Sequence, residues 1–167
     1  MTAARSEQQP SASLEELVEL LVDGARYGDM EDVRAALDAG VDVNAADQGS
    51  RTALHMAAAN GHCEVVDALI AARADPDAVN AEGNTPLHWA CLNGHSQVVD
   101  RLMKAGANPS KLNSSNRTPV DEALSRGFEE VMGVIRQATA QQVVENIDMA
   151  DGESPLAGNE GQAALGT

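Results

Sequence analysis

The run TALHMAAANGHCEVV at residues 52–66 returns 33 residues later as TPLHWACLNGHSQVV at residues 85–99. The same step recurs along most of the chain. Gly28, Gly61, Gly94 and Gly127 follow it, as do Thr52, Thr85 and Thr118, and Leu54, Leu87 and Val120. Val33, Val66, Val99 and Met132 hold one apolar position; Ala36, Leu69, Leu102 and Ile135 hold another. A period of this length marks a supersecondary unit that cannot bury its apolar face alone and must stack on its own copies. Function in such an array belongs to the surface of the stack rather than to a catalytic pocket.

Within each period the residues read as two helices. Ser13 and Glu16 stand at capping-box spacing, and Leu14, Leu17, Leu21 and Ala25 follow at helical intervals up to Gly28. A second helix is predicted over residues 30–39, with Val33, Ala36 and Leu37 inward and Gly40 as its stop. In later units a threonine caps the first helix, and Pro86 and Pro119 take the first helical position, where a missing N–H costs nothing. After Phe128 the spacing of Val131, Met132, Ile135 and Ala138 predicts a last helix, and Val143, Val144 and Ile147 extend it to about Met149. Aromatic residues make up only 2% of the chain, so the core must come from Ala, Leu, Val, Ile and Met.

Thr85-Pro86-Leu87-His88-Trp89-Ala90, then Asn93-Gly94-His95 and Val98-Val99, resemble the ankyrin signature T-P-L-H-x-A with its following G-H and V-V. The resemblance covers residues 17–138. It implies an all-α repeat solenoid of about four stacked ankyrin repeats, each a helix-turn-helix, with β-hairpin fingers near residues 43–50, 76–83 and 109–116. The repeat domain is expected over residues 13–149, in units at 17–49, 50–82, 83–115 and 116–149. The first unit has Leu20-Leu21-Val22-Asp23 in place of T-P-L-H, and the last has Asp121 in place of the histidine. Such departures suit the ends of an array. Flexible termini are expected at residues 1–12, which hold little to bury, and at residues 150–167, which are acidic and Gly-rich. Ser154-Pro155 in that tail is a weak phosphorylation signal.

Four histidines and two cysteines raise the question of a metal or a nucleophile. The repeat answers it: His55 and His88 share one position, His62 and His95 another, and Cys91 sits where earlier units have Ala25 and Ala58. Hydrogen bonding within and between the turns accounts for the histidines. No tetrahedral ligand set, phosphate loop or third catalytic group accompanies them, so no metal, cofactor or enzymatic activity is expected.

The family resemblance implies a binding surface instead, a concave face made by the fingers and the first helices. Its expected partner-binding residues are Asp23 and Tyr27 in the first unit, and Asp47, Arg51, Met56 and Asn60 in the second. The third contributes Glu82, Trp89, Leu92 and Asn93, and the fourth Asp121 and Glu122; Arg26, Gln48, Ala59, Asn84 and Arg126 lie beside them. Trp89 is the one tryptophan and Tyr27 the one tyrosine, and such rigid aromatics are favoured interface anchors. A competing reading makes Trp89 a filler between repeats, Met56 a core residue, and Glu82, Asp121 and Glu122 plain solvated charges.

The charge balance bears on the partner. The chain holds 26 acids and 11 Lys or Arg, a net charge of -15, which disfavours nucleic acid and suits a basic protein. An alternative reading of the charge is solubility alone. No apolar run approaches a membrane span or a secretory signal, and two cysteines imply no disulfide framework, so a soluble chain in a reducing compartment is expected. The runs TALHMAAANGH and GNTPLHWACLNGH, with the acidic tail, resemble the small acidic fungal ankyrin chaperones of a small-subunit ribosomal protein. That resemblance implies a monomer when free, in cytoplasm and nucleus, that shields a basic segment of a ribosomal protein during ribosome biogenesis. The alternative is an adaptor or scaffold in a signalling or transcription-regulating complex.

Overall fold

In the computed structural model, residues 12–150 are described. The expectations for the two termini, Ser154 included, fall almost wholly outside them. Among the described residues eight helices follow in order: α1 (Leu14–Tyr27), α2 (Met30–Asp38), α3 (Ala53–Asn60), α4 (Cys63–Ala71), α5 (Pro86–Asn93), α6 (Ser96–Lys104), α7 (Pro119–Arg126) and α8 (Glu129–Ala150). They pair as four helix-turn-helix units. The first helices stack as α1 on α3 on α5 on α7, and the second helices form the other row, α2, α4, α6 and α8. This is the all-α repeat solenoid expected from the period.

The caps explain why each helix begins and ends where it does. Ser13 and Glu16 close a full capping box on α1, and Thr52, Thr85 and Thr118 cap α3, α5 and α7. At the other end the repeated glycine takes the left-handed conformation. Gly61 shows why no other residue serves: its φ is +75°, and an added Cβ would lie 2.7 Å from the His95 ring. His95 in turn donates from Nε2 to the Ala59 carbonyl at 3.0 Å, tying one unit's turn to the next. His62 makes the equivalent bond to the Arg26 carbonyl at 3.0 Å.

The core runs through the whole stack at repeated positions. Leu21, Leu54 and Leu87 are fully buried, as are Val33, Val66 and Val99 in the second helices. Each buried side chain of this size stabilises the fold by about 1.5–3 kcal/mol relative to exposure. Small residues between them, such as Ala25, Ala58 and Cys91, let neighbouring units approach closely.

The fingers differ from the expected hairpins. Among the described residues there is no strand, only an isolated bridge between Ala46 and Thr52. A side chain organises each loop instead. The Asp47 Oδ1 accepts from the N–H groups of Gly49 and Arg51 at 2.9 and 3.0 Å. Asn80 and Asn113, at the same register, accept from the second and fourth residues after them. Donors that a ladder would use are thereby satisfied locally. Single backbone bonds link successive loops, Ala81 N–H to the Gly49 carbonyl and Ser114 N–H to the Glu82 carbonyl.

Candidate partner-binding face

The first helices and the loops before them build one face of the stack. Two histidines lock loop to helix there. Thr52 N–H donates to His55 Nδ1 at 3.2 Å, which leaves the proton on Nε2, and Nε2 donates to the Asn84 carbonyl at 2.9 Å. His88 repeats the pattern with Thr85 and the Arg117 carbonyl, at 3.1 and 3.0 Å. Burial depresses the pKa of both imidazoles below the ordinary value, so each ring stays neutral. Neither is available for metal or acid-base chemistry. Among the described residues no three His, Cys, Asp or Glu side chains converge. Cys91 is fully buried, and burial pushes its thiol up to about 12.

At the N-terminal end of the face, α1 and the first loop enclose a groove of about 680 Å³. It is lined by Val18 and Val22 and by Glu15, Glu19, Asp23 and Asp47, with Arg26 and Arg51. Both arginines are engaged: Arg26 pairs with Asp23 at 2.7 Å and Arg51 with Asp47 at 2.6 Å. Burial alone would raise the Asp47 pKa, but bonds from the Arg51 side chain and from the Arg51 and Gly49 N–H groups outweigh it and hold the carboxyl low. Glu15 and Glu19 form no ion pair among the described residues and are exposed. The groove therefore carries net negative charge.

Farther along, Tyr27 is 74% exposed, and Asn60 and Glu82 are exposed. Asn60 Nδ2 is spent on the Met56 carbonyl, Asn93 Nδ2 on the Ala59 carbonyl, and Glu82 accepts from Asn84 Nδ2, at 2.9, 2.9 and 3.0 Å. Trp89 is half-buried with its ring edge-on to His55, centroids 5.8 Å apart at 73°. It fills space between units and still presents surface beside the half-buried Leu92. Asp121 is exposed, and bonds from the Thr118 N–H and hydroxyl hold its carboxyl low.

A model of ankyrin repeats in three copies matches residues 11–113 and again residues 59–146. The chain belongs to the ankyrin-repeat family. Ankyrin arrays are protein-interaction modules, and this one is a protein-binding module. A search of curated proteins finds no significant match. No helix among the described residues is long and apolar enough to cross a membrane.

Two residues expected on the ankyrin face are not accessible there. Met56 is 4% exposed, covered by Arg26, whose Nε lies 3.4 Å from its sulfur, so it is a core residue. Glu122 is 8% exposed, with Oε1 3.4 Å from both Arg117 Nε and Asn113 Nδ2. Its carboxylate holds the last loop rather than facing a partner. Both share one register position with Asp23 and Trp89, where the next loop or helix decides accessibility. Glu15 and Glu19 were missing from the expected set. Their signal was present, because Glu15, Glu19 and Asp23 are spaced by four and fall on one helix face.

Proposed function

We propose that this chain is a dedicated chaperone that shields a basic segment of a small-subunit ribosomal protein, in cytoplasm and nucleus, during ribosome biogenesis. The observation that carries the basic partner is the acid row Glu15–Glu19–Asp23 along the groove of α1. Like charges four apart on a helix repel and cost stability; Asp23 is paired with Arg26, so it is Glu15 and Glu19 that an external cation would neutralise. The net charge of -15 extends the same field over the molecule and would speed the approach of a basic client. The ribosomal identity of the client is supported by the resemblance of the T-x-L-H and N-G-H runs to the fungal chaperones.

Glu82 and Asp121 supply further charge on the same face, beside the arginine-paired Asp23 and Asp47, with Trp89, Leu92 and Tyr27 as its apolar contacts. Affinity purification from the source cell with mass spectrometry tests the reading. Co-purification of a basic small-subunit ribosomal protein, released by high salt, is expected. Recovery of kinases or transcription factors without ribosomal proteins would instead establish the adaptor role.

A further inference from the structure

The last unit leaves open apolar surface that the earlier units bury. Leu21, Leu54 and Leu87 are fully buried at one register position, and Ala25, Ala58 and Cys91 at the position four residues on. The last unit has Val120, half-buried, and Leu124, 61% exposed, at these places. A terminal repeat ordinarily turns a polar face outward, whereas here a leucine replaces smaller residues. The last helix adds to this surface. α8 has 22 residues where α2, α4 and α6 have nine, and residues 139–149 are exposed throughout. Val143, Val144 and Ile147, each more than half exposed, stand on this arm. Where α7 meets α8 a groove of about 500 Å³ is lined by Val120, Met132, Ile135, Ala140 and Val143, with Arg136 and Thr139 as its polar members.

We propose that this groove and the arm of α8 receive an amphipathic helix of a partner protein, its apolar stripe flanked by Lys or Arg. In the first three units the register positions of Val120 and Leu124 are buried where the next first helix, α3, α5 or α7, packs on. The end of the stack therefore offers a helix-sized seat, and an amphipathic helix in a groove is a common mode of recognition. Charge selects the occupant. Beyond Arg136 the chain contains no Lys, Arg or His, and the arm carries Glu145 and Asp148. Arg136 itself has Glu129 4.0 Å away on its own helix. A second copy would set acid against acid. Residues 151–167 would do the same through Asp151, Glu153 and Glu160, and Gly152, Pro155, Gly158 and Gly161 oppose a helix there. A cationic amphipathic helix meets both the apolar stripe and the acids.

The inference takes from the proposed function the basic character of the partner, and its test changes a different surface. The probe is a labelled synthetic peptide of Leu and Lys, about 18 residues long with an apolar stripe at helical spacing, beside a scrambled peptide of equal composition. Fluorescence anisotropy is read with the full chain, with Leu124→Lys/Val143→Lys/Ile147→Lys, and with Glu15→Lys/Glu19→Lys. The native chain is expected to prefer the amphipathic peptide at least about tenfold, a preference lost in the arm variant and kept in the groove variant. The milder Val143→Ser/Ile147→Ser chain is to show the same loss with an unchanged melting temperature. Equal affinity for the two peptides would overturn the proposal, as would a preference that survives both arm variants. An arm-dependent dimer in sedimentation equilibrium would assign the surface to a second copy. Arm-dependent hydrogen-exchange protection of residues 151–167 in the free chain would assign it to the tail.

Discussion

The interior units and the last unit are built from one pattern, and their differences show what a following unit contributes. Leu87 and Cys91 are sealed by their neighbours, while Val120 and Leu124, their counterparts on the last unit, are respectively half-buried and open to solvent. An added Cβ on Gly61 would meet the His95 ring, whereas one on Gly127 would meet nothing within 4 Å. His55 and His88 reach a carbonyl of the next loop, and Asp121 at the same register only caps its own helix. The pattern sets local structure, and the neighbour sets burial, charge state and stability.

The largest effect is expected for truncation inside the stack. Leu87→Ala should lower the free energy of unfolding by about 2–5 kcal/mol through transfer and cavity costs, while Leu124→Ala should change it by under about 0.5 kcal/mol. Urea titration of the two variants measures the contrast. Equal losses would mean that the end of the stack is as well packed as its middle.

A smaller difference is expected at the turns. Gly127→Ala should cost about 1–2 kcal/mol, the ordinary penalty for a left-handed alanine. Gly61→Ala must also displace the His95 ring from its bond to Ala59, and should cost about 1 kcal/mol more. Thermal melts of the pair, compared at one pH, read the increment directly.

The smallest effect is a dependence on pH. His55 and His88 bind protons less readily when folded than when unfolded, because burial disfavours their charged forms. Stability is complete above the unfolded value of 6.5 and is lost as pH falls below it toward the depressed folded values. Asp121 carries no such loss, since its carboxyl is held below 3.8 and its contribution fades only as pH drops beneath that value. His55→Gln/His88→Gln should therefore flatten the profile of unfolding free energy on the acid side of pH 6.5, on a lower plateau. An unchanged profile would place the titrating groups elsewhere.

Much of this was legible in the residues themselves. A fixed spacing reports every contact that each unit makes with its neighbours, so the helices, the threonine caps, the left-handed glycines and the role of the histidines could be read from it. Accessibility depends on what lies across a register position, and spacing along the chain is silent on that. Asp23, Met56, Trp89 and Glu122 occupy one position, yet they are respectively exposed, buried, half-buried and buried. Arg26 covers Met56, and Arg117 draws in Glu122, through contacts between units. The finger loops differed for a local reason. Asp47, Asn80 and Asn113 hold N–H groups that a hairpin ladder would have used, a choice that alternating residue types do not reveal. The acid row of α1 is visible in the spacing, but the first unit lacks the signature that locates the face in later units.

The acidic groove of α1 and the first loop is proposed to hold a basic protein segment. The most direct measurement is quantitative capture from the source-cell lysate by the native chain and by Glu15→Lys/Glu19→Lys, at low and high salt. A basic small-subunit ribosomal protein should dominate the native capture at low salt, and fall about tenfold or more after charge reversal or salt addition. Equal capture of the same proteins by both chains at both salt concentrations would contradict the account.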